Sequence, residues 1–360
     1  MRKLASVVLI LIIAVFFLVY KTPKQEAQIN SAPQSPLDSS NREPQIVAQN
    51  LQVPWAIAFL PNSNLLVTER IGKVDEIDKS GNVKTIFSPS DIVATGEGGL
   101  MGITLHPDFK KNNYIYLMYT HTGPKEKIVR YKYANQTLTE DKIILDNITA
   151  SGFHHGGRIK FGPDGYLYAT TGDAQQTQFA QDKNSLNGKI LRMTDGGEAA
   201  PGNPFNNLVY SYGHRNPEGL TWDKEGTLWE TEHGNTATDE INIIKPGQNY
   251  GWPNVIGDQQ QEGITSPVIT SGTSITWAPT DLIAQNGKIY FAGLRGQAIF
   301  SFDAKNTSQI NESIKYKYGR LRELTIGPDG YIYLTTSNQD GRGKPNSGDD
   351  KIIKIAPSSL

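Results

Sequence analysis

The amino-acid sequence predicts an all-β protein built as a six-bladed β-propeller, and three observations lead to this prediction. A turn rich in Pro, Asp, Asn and Gly, followed by a strand of β-branched and aromatic residues, recurs six times along the chain. The copies begin roughly 45–60 residues apart, the size of one four-stranded blade with its loops. After residue 21 the sequence has no long stretch of helical periodicity.

Each copy joins residues that favour a turn to residues that favour a strand. Proline presets φ, aspartate bonds its own backbone and glycine accepts positive φ. The strand that follows alternates its side chains at period two. A β-sandwich is the alternative, but it gives no reason for six similar turns at this spacing. The six copies are Phe59–Asn62, His106–Asp108, Gly162–Tyr168, Trp222–Trp229, Asn286–Tyr290 and Gly327–Tyr333.

The N-terminus carries a separate signal. Arg2 and Lys3 precede an uncharged apolar run from Leu4 to Tyr20, which would extend for roughly 25 Å as a helix. This length favours an uncleaved signal-anchor, and a cleaved signal peptide is the alternative. The expected organisation is an anchor or signal over 1–20, a flexible Pro-containing linker over 21–44 and the propeller over 45–357.

The charge and the cysteine content of the chain exclude several classes of binding site and catalytic site. A formal net charge of −1 at pH 7 gives no support for nucleic-acid binding. The chain contains no cysteine, which excludes disulfides, thiolate metal sites and cysteine nucleophiles. The absence of cysteine also suits an oxidising compartment.

The segment Phe153–Arg158 is the densest in unusual polar residues. His154 and His155 precede two glycines, and adjacent positions on an extended chain point in opposite directions. One working histidine is therefore favoured over two that share a metal ion, with a pair of exposed loop histidines as the alternative. Asp173 follows a predicted strand and could orient this histidine.

Three further segments carry charged or oxygen-rich groups. Arg215 and Asn216 place a cation and an amide in one tight loop. The acidic segment 232–240 offers carboxylates and carbonyls that suit calcium, although a solvated acidic loop is the alternative. Arg320 and Arg322 lie on one side of an extended segment. They could clamp carboxylates, whereas an R-x-R strand taken alone is usually a solvated face.

Together these segments resemble the soluble quinoprotein glucose dehydrogenase and aldose sugar dehydrogenase family, also called the glucose/sorbosone dehydrogenases. The resemblance covers roughly residues 45–357 in order. Any one motif is weakly specific, whereas the ordered set is hard to explain otherwise. The motifs are Gly98–Gly102 with His106–Phe109, the H-x-x-G-R run from His154, Gly172–Asp173, Gly213–Gly219, Glu232–Gly234 with Asp239–Asn242, Asn249–Pro253 and Arg320–Arg322.

The resemblance implies oxidation of an aldose at its anomeric carbon to the lactone, by hydride transfer to bound pyrroloquinoline quinone (PQQ), with calcium as a second cofactor. It implies that His154 is the general base, that Asp173 supports it, and that Arg215 stabilises charge developing on the quinone oxygen. It further implies an external electron acceptor, a quinone or a cytochrome. The expected location is outside the cytoplasm, with the protein anchored to the membrane through its N-terminal segment or secreted.

The resemblance also implies the binding residues. Phe153 stands where glucose-oxidising members have Asp, which favours a broad or different aldose preference. The carbonyls of Gly234 and Asn235 match the catalytic calcium site, and Glu240 and Tyr250 match a second, structural calcium site. The implied cofactor contacts are Glu97, Arg215, Asn216, Thr276, Arg295, Arg320 and Arg322, of which the last two bind the cofactor's carboxylates.

Two other functions stay open at this point. A calcium-dependent lactonase on a six-bladed propeller also combines a metal with a histidine, but it does not require Arg320 and Arg322 to converge. A non-catalytic propeller that binds a protein or a glycan would not require His154, Asp173 and Arg215.

Overall fold

The computed structural model describes residues 43–360. The predicted signal-anchor and nearly all of the predicted linker lie outside the described residues. Helices in the described part are short, and none is long and apolar enough to cross a bilayer.

The described chain forms six antiparallel sheets of four strands each, which confirms the predicted six-bladed propeller. Strand β1 is Gln45–Ala48. The first sheet contains β2 (Pro54–Phe59), β3 (Leu65–Glu69), β4 (Lys73–Ile77) and β5 (Val83–Phe87), and the second contains β6 (Leu100–Leu105), β7 (Tyr114–His121), β8 (Lys125–Ala134) and β9 (Thr137–Thr149). The third contains β10 (Gly156–Phe161), β11 (Leu167–Thr171), β12 (Lys189–Met193) and β13 (Val209–Tyr212).

The second half of the ring repeats this order. The fourth sheet contains β14 (Pro217–Trp222), β15 (Leu228–Glu232), β16 (Glu240–Ile244) and β17 (Ile269–Thr270), and the fifth contains β18 (Pro279–Gln285), β19 (Lys288–Gly293), β20 (Ile299–Asp303) and β21 (Asn306–Ser313). The sixth contains β22 (Leu321–Ile326), β23 (Ile332–Thr336) and β24 (Ile352–Ile355). The short helices are α1 (Phe109–Asn112), α2 (Gln178–Gln181) and a 3₁₀ turn at Pro357–Ser359.

The sixth blade is completed by β1, which pairs antiparallel with β24 so that Gln45 lies opposite Lys354. The seam between the sixth and first blades is filled by apolar side chains from both ends of the chain, among them Ala48, Ile57 and Ile352. The first and last strands of the propeller therefore pair in one sheet, and the closed ring of blades leaves only short, protected strand edges.

The first strand of each blade lies at the centre. Strands β2, β6, β10, β14, β18 and β22 each contact the corresponding strands of both neighbouring blades, which closes the ring. Every one of them has a register shift near its start, and such a β-bulge bends the strand and increases its twist.

A threonine on the second strand stabilises four of these bulges. Its hydroxyl oxygen accepts a hydrogen bond of 2.9–3.1 Å from a backbone N–H of the bulge. In three blades the same hydroxyl donates to a backbone carbonyl of the next blade, and so ties neighbouring blades together. The four threonines are Thr68, Thr170, Thr231 and Thr335.

The central channel is blocked by a buried ion network. Arg158 on β10 contacts Glu323 on β22 at 2.5 Å and Asp281 on β18 at 3.5 Å. Lys160 contacts the same Asp281 at 2.9 Å. The Arg158 guanidinium also lies 4.3 Å from the centre of the Trp55 ring. The arginine of the H-x-x-G-R motif therefore belongs to the channel and not to the reacting centre.

The two faces of the propeller, at opposite ends of its central channel, have different roles. The six repeated turns all join the first strand of a blade to its second strand, so they share one end of the ring. The loops before each first strand and after each second strand share the opposite end. Every residue expected in the site except Tyr250 lies in these loops or in the strand residues beside them, and Tyr250 lies in the connection between β16 and β17. The turns that predict the fold are therefore separate from the predicted chemistry.

Candidate active site

Two adjoining cavities occupy the loop end of the channel. The first has a volume of about 500 Å³ and is lined by His154, and we call it the His154 cavity. The second has a volume of about 210 Å³, and we call it the arginine cavity because Arg70, Arg320, Arg322 and Arg342 line it. Both cavities share the residues Glu97, Phe153, His233, Leu294, Arg320 and Arg342.

His154 is held at the cavity wall through Asp173. Its Nδ1 lies 2.7 Å from Asp173 Oδ1, and the Asp173 side chain is fully buried. Asp173 also accepts hydrogen bonds from the Trp252 indole N–H at 2.8 Å and from the backbone N–H of Gln175 at 2.8 Å. A carboxylate can only accept, so Nδ1 donates and Nε2 keeps its lone pair.

Gly172 allows this close approach. A Cβ atom at this position would lie 2.0 Å from the His154 carbonyl oxygen, so a side chain cannot be accommodated without moving the histidine loop. His154 itself has a positive φ of 63°, a conformation that few non-glycine residues adopt. Gly172 therefore leaves room for the His154 backbone, and Asp173 holds the His154 side chain.

His155 has a different environment, and neither histidine is an exposed loop residue. The His155 side chain is 3% exposed, and its Nδ1 lies 2.5 Å from Glu126 Oε1. Burial lowers the pKa of His155, but the hydrogen bond and charge of Glu126 raise it above its ordinary value. His155 lines the arginine cavity and His154 lines the other, so the two rings face different spaces.

Arg215 lines the His154 cavity, whereas Asn216 lies behind its wall. The Arg215 guanidinium donates to the His233 carbonyl at 3.2 Å and lies 5.4 Å from the centre of the Trp252 ring. Burial lowers its pKa. Asn216 is almost fully buried and accepts from the Gly156 backbone N–H at 2.9 Å. Among the lining residues of the two cavities Asn216 is absent, so its cofactor contact stays a prediction.

Glu97 and Arg342 form an ion pair at the junction of the two cavities, with Oε1 and Nη1 2.7 Å apart. Glu97 also accepts from the His154 backbone N–H at 3.1 Å. Burial raises the pKa of Glu97, but His233, the His154 N–H and Arg342 together hold it at about 2. The half-exposed Phe153 ring lies 5.1 Å from the Arg342 guanidinium, at the rim of the site.

Arg320 and Arg322 converge on the arginine cavity but have different partners. Arg320 binds Asp340 through Nε and Nη2, each 2.7 Å from Oδ2, and donates to the Leu294 carbonyl at 3.2 Å. Arg322 has a hydrogen bond of 3.4 Å to Ser337 and lies 3.8 Å from Glu218. Its guanidinium therefore keeps most of its donors available.

The predicted calcium-binding loop is organised by Asp239. This buried carboxylate accepts hydrogen bonds from the backbone N–H of Gly234 at 2.9 Å, from the Thr276 hydroxyl at 2.7 Å, and from the N–H groups of Trp277 and Ala278. It thereby joins the loop after β15 to the segment before β18. The residues Gly234, Asn235, Thr276 and Arg295 all line the His154 cavity.

Glu240 lies in a cluster of buried carboxylates beneath this loop. Burial and the charge of Glu232, its cross-strand partner, raise the pKa of Glu240 to about 8. Glu230 is fully buried and its Oε1 has no hydrogen-bond partner, while His214, Glu230 and Glu232 offer ligand atoms within 4.8 Å of one another. The Tyr250 hydroxyl donates to Ile243 and accepts from Lys245, so only its carbonyl is free for the predicted ligand role.

Sequence reasoning missed several residues of the site. They are Arg70, His233, Asp340 and Arg342, which line the cavities. His233 lies within the Glu232–Gly234 motif but was given no role of its own, whereas the other three have no local motif around them. The signal they share is position, because each lies just after the second strand of its blade, as Asp173 does.

The family model described as Glucose / Sorbosone dehydrogenase matches residues 51–344. The chain belongs to this family. Quinoprotein glucose dehydrogenase B of Acinetobacter calcoaceticus is 35% identical over 298 residues, which cover 72% of this chain and 61% of that protein. Aldose sugar dehydrogenase YliI of Escherichia coli is 29% identical over 351 residues, covering 87% of this chain and 92% of the relative.

A solved structure of a similar protein has the same fold as this chain. The PQQ-bound form of an aldose sugar dehydrogenase from Streptomyces coelicolor superposes with a TM-score of 0.82 at 37% identity, covering 87% of this chain and 98% of that one. The family and fold predicted from the sequence are thereby confirmed, and the chain is an oxidoreductase of the glucose/sorbosone dehydrogenase family.

Proposed function

We propose that this protein is a PQQ-dependent aldose sugar dehydrogenase that oxidises its substrate at the anomeric carbon to the lactone. The observation that carries the proposal is a histidine, fixed by a buried carboxylate, on a cavity that adjoins a second cavity rich in guanidinium groups. A lactonase requires no such arginine wall, and a binding module requires no oriented histidine.

The residues present fit the cofactor. PQQ is a flat tricarboxylic acid, and planar guanidinium groups match carboxylates in charge and geometry. Arg322 is buried with most of its donors free, which is costly for a cation that has no anionic ligand. Arg295 and Thr276 line the adjoining cavity and would contact the same group.

Bound PQQ would supply the carbonyl carbon that accepts the hydride of the C1–H bond. In the proposed reaction, His154 Nε2 takes the proton of the C1 hydroxyl while the C1–O bond becomes the carbonyl of the lactone. Asp173 keeps Nδ1 protonated and fixes the plane of the ring. Arg215 offers a positive charge at the wall of this cavity, where negative charge develops.

Calcium fits two groups of oxygen atoms. The carbonyls of Gly234 and Asn235 lie in a loop that Asp239 holds at the cavity wall, and we propose that they hold the catalytic ion. Glu240 and the Tyr250 carbonyl would hold a second, structural ion, supported by the unpartnered oxygen of the nearby Glu230. Hard oxygen donors of this kind are the ligands that calcium prefers.

The function is tested by reconstitution. Purified protein is titrated with PQQ in calcium, and aldoses are then added with an artificial electron acceptor dye. We expect sugar-dependent dye reduction only when both cofactors are present, with the lactone as product. A protein that binds PQQ but hydrolyses a lactone, or one that binds no PQQ, contradicts the proposal. We further propose an extracytoplasmic location and a natural acceptor that is a quinone or a cytochrome.

Calcium is expected to stabilise the protein through Glu240. Without the ion, burial and the neighbouring carboxylate Glu232 disfavour the charged forms of Glu230 and Glu240 and raise their pKa values. Addition of a chelator should therefore lower the unfolding temperature of the wild type. Glu240→Gln should lose much of this calcium response, whereas Glu323→Gln, a buried glutamate in the channel, should keep it. An equal calcium response in wild type and Glu240→Gln, measured by thermal denaturation, argues against the second site.

Phe153 is expected to influence the choice of sugar. Phe153→Asp places a carboxylate at the rim, beside His154 and within the reach of Arg342. A new hydrogen bond to a substrate hydroxyl is worth about tenfold in discrimination, so kcat/KM for glucose should rise relative to other aldoses. Phe153→Leu is the control, because it keeps an apolar rim. If the ratio of kcat/KM for glucose to kcat/KM for other aldoses is unchanged in both variants, Phe153 does not influence specificity.

A further inference from the structure

The arginine cavity holds more positive charge than its acidic residues neutralise. Four arginines and three acids, Glu97, Glu218 and Asp340, line it. Arg320 is paired with Asp340 and Arg342 with Glu97, each at 2.7 Å. These two pairs leave Arg70, Arg322 and Glu218.

The remaining acid does not neutralise the remaining arginines. Glu218 Oε2 lies 3.8 Å from Arg322, beyond hydrogen-bond distance, and has no hydrogen-bond partner. Burial raises the pKa of Glu218, which favours its neutral form. Among residues 43–360, Arg70 is thus left without a carboxylate partner, and Arg322 has only the Glu218 carboxyl at 3.8 Å.

Of these two arginines, Arg70 has the fewer hydrogen-bond and ion-pair partners. A guanidinium has five N–H donors, and the hydrogen bond of the Arg70 side chain is one of 3.4 Å, from Nη2 to the Asp340 carbonyl. Among residues 43–360 it forms no ion pair. Burial, and then the charge of Arg322, lower its pKa. Such a group is held in place in order to bind something that is not part of the chain.

We propose that Arg70, together with Arg322, binds carboxylate groups of the cofactor, and that Arg320 is a positioning residue whose guanidinium is already held by Asp340. This inference rests on the proposed function and refines it. Sequence similarity pointed to Arg320 and Arg322 as an equivalent pair, whereas the contacts separate them. Arg70 enters from the opposite side of the seam, at the end of β3 in the first blade.

The first test is a binding titration of the apoprotein with PQQ in calcium, followed by quenching of tryptophan fluorescence. Loss of one charge-assisted contact should weaken binding by about 10- to 100-fold in Arg70→Gln and in Arg322→Gln. Arg70→Lys should recover only part of the affinity, because it keeps the charge but not the fork. Arg192→Gln, whose side chain pairs with Asp164 in the third blade, is the control and should bind as the wild type does.

The second readout is the stability of the apoprotein. Removal of a half-buried charge that has no ion-pair partner and lies next to Arg322 should leave the unfolding temperature of Arg70→Gln unchanged or raise it. Arg320→Gln should lower it, because Asp340 then loses its partner. Wild-type affinity of Arg70→Gln for PQQ overturns the inference, and so does a weakened affinity that simply follows a fall in stability. If the wild type itself binds no PQQ, the proposed function fails instead.

Discussion

His154→Ala should lower sugar-dependent turnover by about 10²–10⁴-fold while PQQ still binds, because a positioned general base contributes a factor of this size. The expectation rests on geometry. Asp173 occupies Nδ1, and the ring lines the cavity. Loss of a group that acts only during proton transfer lowers kcat and leaves cofactor affinity nearly unchanged.

The matched control for this variant is His155→Gln. His155 is buried against Glu126 and lines the other cavity, so its replacement should change turnover far less. Both variants are assayed by dye reduction after reconstitution, with PQQ binding measured separately. Equal losses in the two variants, or a loss confined to His155→Gln, would show that the base has been assigned to the wrong residue.

Arg158→Met should lower the free energy of unfolding by about 3–5 kcal/mol, the usual effect of removing one partner from a buried ion pair. Asp281 and Glu323, which lie on the inner strands of adjacent blades, would then lose their shared partner, and Lys160 would remain in contact with Asp281. Burial raises the pKa of Glu323 to about 8 even in the wild type. Stability from such a group is present at low pH and is lost as the pH rises through its folded-state pKa, so the deficit should be greater at pH 9 than at pH 6.

Arg192→Met is the control for this prediction. Arg192 lies in the same blade and pairs at 2.8 Å with Asp164, whose side chain is 34% exposed, so its replacement leaves no fully buried carboxylate without a partner. Chemical denaturation of both variants at the two pH values gives the comparison. A loss in Arg158→Met no larger than in Arg192→Met would mean that the channel network does not stabilise the ring.

The number of blades was predictable because each copy of the repeated turn is the first hairpin of one blade. That hairpin is local, so its residues reveal it within a short window of sequence. Closure of the ring was not predictable in the same way. Strand β1 has only four residues, and nothing in Gln45–Ala48 indicates that its partner is at the other end of the chain.

In the site, too, features set by neighbouring residues were predictable and contacts with distant residues were not. Arg320 and Arg322 were predicted to lie on one side because they are two residues apart on an extended strand, and both line the arginine cavity. Their unequal partners could not be predicted, because Asp340 reaches Arg320 from the loop after β23 and Glu218 reaches Arg322 from strand β14 of another blade. Arg70 was missed for the same reason, since its importance depends on what it does not contact after folding.

The pairing of β1 with β24 also determines when the ring of blades can close during synthesis. The ribosome makes Gln45 before any other strand residue of the ring, yet Lys354, opposite to it, is among the last strand residues of the ring to be made. Five blades contain only strands that are contiguous in the chain and can form as they emerge, whereas the sixth must wait. Contacts between such distant residues form slowly, so the nascent propeller remains an open ring until β24 has been made.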